Sequence, residues 1–306
     1  MPAFASHYIF AKEMMPFLKE TADFEINESA VYFGTQGPDI FFFHRVFPWM
    51  PGKSLRKYGS ILHRTKPETI FESMRASCKT SDNCSIVKSY VYGFILHYAL
   101  DRNCHPYLYY LQNEITKKHK LTNPHTAHNT IESALDTYLL NKRLGVKEPE
   151  KFRTADTLIF DKNVMREIGN FLKDIITGTL GKKMTQKQGY TALEDTGHIQ
   201  KILYDPAGIK RLLILPVETV IAPFSRNFKF TAMIRPKDLE KAKKYANIEN
   251  NEWQSPYSNS VRKESFEALF ELSKKDAREM ILSFQAGKDC RAITQNKSFL
   301  TGVEIK

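Results

Sequence analysis

Long apolar runs are missing from this 306-residue chain. None reaches the roughly 18 residues of a membrane-spanning helix. The nearest, Leu212 to Phe224, is short and carries Pro216 and Glu218, so it is read as core. Cysteines are few: Cys78, Cys84, Cys104 and Cys290, with no CxxC spacing. That excludes a thiolate zinc knot, and without a secretion signal a Cys78–Cys84 disulfide is not expected. The start, Met1-Pro-Ala-Phe-Ala-Ser-His7, lacks the basic n-region and apolar stretch of a signal peptide, which points to a cytoplasmic protein. Strand-like alternation is scarce as well. Helical periodicity covers Tyr8–Lys19, Glu28–Phe33, Lys66–Cys78, Lys88–Asp101, Asn129–Leu144, Asp161–Thr177 and Ser265–Ala286, so the fold is predicted to be all-α.

Acidic residues are in deficit, 34 against 45 lysines and arginines, giving a net charge of +11. The surplus is three over residues 1–150 and eight over 151–306. Such a balance favours anionic partners: phosphate esters, an anionic membrane surface or nucleic acid. A division near residue 150 is expected, with 1–150 as a metal-binding catalytic core. Residues 151–306 would complete the same domain or form a small accessory part. Gly178–Gln188 and Asn247–Arg262 are polar and turn-rich, suited to linkers, lids or exposed loops.

What the first half holds in excess is histidine: eight of nine lie in the first 128 residues. His97, Asp101 and His105 recur at intervals of four, so on a helix they share one broad face. Phe94, Ile95, Leu96, Ala99 and Leu100 bracket them, which predicts burial. Buried imidazoles and carboxylates are costly unless something compensates them, and a metal ion does so. His128 and Glu132 repeat the spacing. With His7, Asp39 and His63 this makes an all-nitrogen-and-oxygen ligand set, suited to catalytic zinc. His97 and His105 are eight residues apart, about 12 Å along a helix axis. They therefore do not readily share one ion, whereas Asp101 between them could bridge two. Asp136, one turn beyond Glu132, is either a carboxylate that orients a liganding histidine or part of a solvated stripe. Asp39, after Gly37-Pro38, is placed to cap the next element. His44 and His125 are weaker alternatives as ligands, and His119 and His198 are bystanders. Phe33, Phe41–Phe43, Phe47, Trp49 and Tyr58 flank Asp39 and His63; they either wall a headgroup or base site or simply fill the core.

The pattern His7, Gly37-Pro-Asp39, His63, His97-x3-Asp101-x3-His105 and His128-x3-Glu132 resembles the zinc-dependent phospholipase C family. The likeness is specific over residues 1–136 and thinner around Asn250-Asn-Glu-Trp253 and Ser265-Phe266. It is nearest to a poorly characterised, intracellular branch. The resemblance implies an all-α multi-helix bundle, shared with single-strand nucleases, and two to three zinc ions. One ion would take Asp39, His63, His97 and Asp101; a second His105, His128 and Glu132; a third His7, Asp101 and the chain's amino terminus. Where the secreted relatives expose a Trp, this chain has Met1-Pro2, so the Pro2 amine after removal of Met1 is the expected substitute. The three-residue gap between Asp101 and His105 is also shorter than in those enzymes. The implied activity is phosphodiester hydrolysis by metal-activated water, with Asp39 as base or orienting group. Phospholipid or a glycerophosphodiester is the leading substrate. A single-strand nuclease and a non-catalytic metal-binding module are the alternatives.

Overall fold

The computed structural model describes residues 4–47, 49–80 and 84–306. Thirteen α-helices are present among them, with one two-residue antiparallel ribbon, β1 (Trp253–Gln254) and β2 (Val261–Arg262). The all-α expectation therefore holds. In chain order the helices are α1 (Phe4–Thr21), α2 (Glu28–Thr35), α3 (Ile40–Phe43), α4 (Arg56–Leu62), α5 (Pro67–Thr80), α6 (Cys84–Lys118) and α7 (Pro124–Leu144). They continue as α8 (Lys162–Leu180), α9 (Gln186–Leu203), α10 (Ile209–Ile221), α11 (Leu239–Lys243), α12 (Phe266–Gln285) and α13 (Cys290–Thr294).

Local chemistry sets many of the ends. Asn123 accepts from the backbone N–H groups of His125 and Thr126 and places Pro124 in the first turn of α7, while left-handed Gly145 closes it. Asp161 caps α8, Gly181 ends it, and a reciprocal Thr185–Gln188 capping box starts α9. The irregular segment expected over Gly178–Gln188 thus shrinks to residues 181–185. Ser265 caps α12.

Helix α6 is the axis of the fold, buried through its centre and packed against α2, α7 and α12. It runs well past Asp101, where the sequence suggested an end. Pro106 lies inside it and deprives the Arg102 carbonyl of its helical N–H donor. The backbone at Gly302 packs directly over that oxygen: a Cβ there would lie 2.6 Å from it. Arg102 and Asn103 donate to Asp276 (2.6 and 3.0 Å), tying α6 to α12. One apolar core takes side chains from Phe4 and Phe10 through Ile95 and Leu139 to Phe270 and Phe299.

Two further expectations are corrected. Asp39 makes no side-chain cap to α3; its carboxylate faces His63 instead. Leu212–Phe224 is not core: α10 turns its apolar residues to solvent, because its two acid–base anchors, Glu218 and Arg211, face the protein. The four cysteines are free thiols, with the Cys84 thiol directed at the Cys78 carbonyl.

The crossing of α2 and α6 is the tightest packing constraint. A Cβ on Gly93 would overlap the Val31 carbonyl and lie 2.9 Å from the Gly34 Cα. Gly93→Ala should therefore destabilise the protein by about 1–3 kcal/mol through overpacking, despite the ~1 kcal/mol that alanine normally contributes in a helix. A lower thermal unfolding midpoint checks this; an unchanged or higher one refutes it.

Candidate metal centre

Five elements bring the sequence-predicted ligands together. His7 comes from α1, Asp39 from the short turn before α3, His63 from the end of α4, His97, Asp101 and His105 from α6, and His128 and Glu132 from α7. Apart from half-buried His128, all are buried. Asp101 sits at the centre. Its Oδ2 lies 3.2 Å from His97 Nε2, 3.6 Å from His63 Nε2 and 3.5 Å from His105 Nδ1, while Oδ1 is 3.4 Å from His7 Nε2. Asp39 Oδ1 is 3.4 Å from His63 Nε2. Glu132 Oε1 lies 3.2 Å from His128 Nε2 and 3.9 Å from His105 Nε2. Three groups among the described residues could each hold an ion: His7–Asp39–His97 and His63–His97–Asp101, which share His97, and His105–His128–Glu132. The last two draw on the first and second ligand sets that the resemblance implies, and Asp39, 3.4 Å from His63, also groups with His7 and His97. The Pro2 amine lies outside the described residues.

The second nitrogen of each ring explains the orientation. His63 Nδ1 donates to the Gly59 carbonyl (2.8 Å), His97 Nδ1 to Thr35 (3.1 Å) and His105 Nδ1 to Phe299 (2.8 Å). His128 Nδ1 meets the Gln112 amide oxygen at 3.0 Å. An imidazole that donates from Nδ1 carries its lone pair on Nε2, and all four Nε2 atoms face carboxylates. Lone pair against carboxylate is repulsive unless a proton or a metal cation lies between, and protons on all the clustered rings would crowd like charges. The separations suit one: two ligands of a tetrahedral zinc with bonds of ~2.1 Å stand about 3.4 Å apart. His97 Nε2 and Asp101 Oδ2 also find no aligned hydrogen-bond partner among the described residues although both are buried. The cluster therefore fits a metal on geometry, donor chemistry and orphaned polar atoms.

Its electrostatics agree. Burial would raise the Asp101 carboxyl, but the charges of His105 and His97 and the approach of His63 and His7 hold it well below the usual carboxylate range. Burial works against a charged His105, yet Asp101 and Glu132 lift that imidazole to about 9. His7, stacked on His97 with ring centroids 4.5 Å apart, is lowered by burial and by its neighbour's charge.

An open cleft of about 200 Å³ reaches the cluster from solvent, lined by Asp39, His63, His105 and His128, with Arg64 next to His63 in the chain and Tyr109 beside His105 and His128. Of the aromatic candidates only Phe42 lines it, stacked over His63 at 5.7 Å. Phe33, Phe41, Phe43 and Tyr58 are core. His44 is buried and accepts the Leu55 N–H at Nδ1, away from the cluster. His125 lines the cleft rim, and His119 and His198 are exposed. Asp136 touches the backbone rather than an imidazole: it accepts from the Ala5 and Ser6 N–H groups and the Ser6 hydroxyl, fixing the turn that carries His7. Burial raises its carboxyl to about 6.

Sequence reasoning missed Gln112, Arg64, Tyr109 and the carbonyls of Gly59, Thr35 and Phe299. Gln112 had a signal, seven residues after His105 on the same helix face; backbone acceptors have none.

A buried multi-histidine, carboxylate-centred cluster at the floor of a cleft in an all-helical scaffold defines a metal-dependent hydrolase. The chain belongs to the zinc-dependent phospholipase C family, whose model matches residues 6–185, over half its length and inclusive of all eight predicted ligands. Neither the curated proteins nor the solved structures return a match.

Gly37, with φ of +51°, has no room for a side chain: a Cβ would overlap the His97 ring. Gly37→Ala should push that ring aside and lower zinc uptake by about one ion per chain, by elemental mass spectrometry, with helical circular dichroism retained. Full zinc uptake would show that the ring can yield.

Proposed function

We propose that this protein is a phospholipase C-type phosphodiesterase that cleaves a glycerophospholipid, or a soluble glycerophosphodiester, between glycerol and phosphate. The observation that carries this reading is the set of four tautomer-fixed Nε2 atoms, with His7, converging on Asp39, Asp101 and Glu132 beneath an open cleft.

Asp39, His63, His97 and Asp101 would hold one zinc, His105, His128 and Glu132 a second, and His7 with Asp101 would contribute to a third. Bound zinc supplies a water acidified from a pKa of about 15.7 to about 7 and positive charge beside the phosphate oxygens. Among the described residues Asp39 is the one acid that lines the cleft, so its carboxylate orients the attacking water and accepts its proton. Attack on phosphorus forms one P–O bond and breaks the bond to the glycerol oxygen, which takes up the proton that Asp39 accepted, leaving diacylglycerol (or glycerol, from a soluble glycerophosphodiester) and a phosphorylated headgroup. Arg64 and Tyr109 also line the cleft beside the cluster, where the guanidinium attracts phosphate oxygens. Phe42 shields His63 from bulk water. Gln112 holds His128 in register.

The basic surface also suits a nucleic acid, so substrates must be compared directly. The zinc-loaded protein should hydrolyse short-chain phospholipid in preference to single-stranded DNA, lose turnover on chelation and regain it with zinc. Asp39→Asn should cut turnover by roughly 10²–10⁴-fold, the usual contribution of a positioned general base. Wild type should carry two to three zinc ions, and His97→Ala/His128→Ala fewer than one. Preferential DNA cleavage would replace the lipid substrate; fewer than one ion in wild type after zinc loading would end the reading.

A further inference from the structure

Helix α10 is built inside out. Of its thirteen residues Glu218 is the buried one. Its carboxylate accepts the Thr231 N–H at 2.8 Å and the Thr231 hydroxyl at 2.6 Å. Arg211 donates to the Ile234 carbonyl at 2.7 Å, and the Lys210 ammonium folds back onto the carbonyls of Ile202 and Tyr204. Every charged group of the helix is thus turned to the protein. Ile209, Leu213, Val217, Val220 and Phe224 recur at intervals of four, four, three and four, one continuous stripe, and all are exposed, Val220 by 76% and Phe224 by 91%. Leu212 beside them is 72% exposed.

The stripe adjoins the cleft. In the turn that follows α10, the Arg226 carbonyl accepts from the Asn123 side chain, and the Lys229 N–H donates to the Thr126 hydroxyl. Asn123 and Thr126 flank Pro124 and His125 on the cleft rim. Two more exposed apolar groups belong to this neighbourhood. Leu121 precedes Asn123 by two residues, and Trp49 stacks on Phe47, which packs against Phe230. The flanking chain is basic: outside the helix, residues 201–245 hold eight lysines and arginines against three acids. At thirteen residues α10 is about 20 Å long, too short to cross a bilayer's ~30 Å hydrocarbon layer. An apolar stripe with basic surroundings on a short helix suits one lying in the plane of an anionic lipid interface.

We propose that α10, with Phe224, Leu121 and Trp49, docks this protein on the surface of an anionic phospholipid membrane and brings the cleft mouth to the lipid headgroups. The stripe lies beyond residues 6–185, outside the family match. The choice of a lipid surface over a second copy of the chain rests on the phospholipid reading of the cleft.

The test uses the full zinc-loaded chain and the triple variant Leu213→Ser/Val220→Ser/Phe224→Ser, co-sedimented with vesicles of phosphatidylglycerol and phosphatidylcholine or of phosphatidylcholine alone. Wild type should bind the anionic vesicles more tightly, and the variant should bind them about tenfold or more weakly. The variant should hydrolyse monomeric short-chain phospholipid as wild type does, which separates docking from chemistry and shows an intact fold. Wild type that ignores vesicles, or a variant that binds them equally well, overturns the proposal. So does a wild-type dimer that the substitutions convert to monomer without any change in vesicle binding. Vesicle binding through the stripe by a protein that hydrolyses no phospholipid would uphold docking while refuting the proposed substrate.

Discussion

The Asp101 carboxylate, buried among four imidazoles, is the constraint from which the rest of the architecture follows. A carboxylate moved out of water costs several kcal/mol unless positive charge surrounds it. Here His97 and His105 stand one turn to either side on α6, while His7 and His63 approach from α1 and α4. Protonated rings alone would crowd like charges: His7 and His97 are stacked at 4.5 Å, and the charge of His97 opposes a proton on His7. Cations placed between the nitrogens and oxygens resolve both problems, supplying charge to the carboxylates without demanding a proton on every ring. The metal-binding character of the site is thus a condition for burying this helix.

Holding so many rings in one tautomer needs acceptors from distant parts of the chain, and the fold supplies them as main-chain oxygens. Gly59 lies one turn before His63 and costs nothing extra. Thr35 reaches His97 because α2 and α6 cross with glycine against glycine, and Phe299 reaches His105 because the C-terminal segment is pinned under α6 by Tyr98. Phe299 also sets its ring edge-on to those of His63 and Tyr98. The last residues of the chain, far from every predicted ligand in sequence, are therefore part of the wall behind the cluster.

What was legible in the sequence was whatever depends on spacing along one helix. His97, Asp101 and His105 on α6, and His128 and Glu132 on α7, follow from a period of four, and bracketing apolar residues implied their burial. Asp39 was legible as a candidate ligand, but the expectation that it also caps the next element failed: nothing local distinguishes a carboxylate that caps its own helix from one that turns toward another element. The expected end of α6 at Asp101 was too early: the helix runs on through Pro106, and the Arg102 carbonyl that the proline leaves without its helical donor is covered by Gly302, almost two hundred residues away.

The segment from Leu212 to Phe224 shows the same limit from the other side. Hydrophobicity reports that a residue avoids water, not what replaces the water, so an apolar helix reads as core by default. Direction is decided by the few polar groups on the helix, and here Glu218 and Arg211 sit seven residues apart on one side, both satisfied by the segment around Thr231 and Ile234. Once those bonds form, the leucines and valines can only point outward. A fold that needed these residues for its own core would place the charges the other way round. The energy invested in anchoring an acid and a guanidinium beneath an apolar stripe makes sense when that stripe meets an apolar phase beside the cleft.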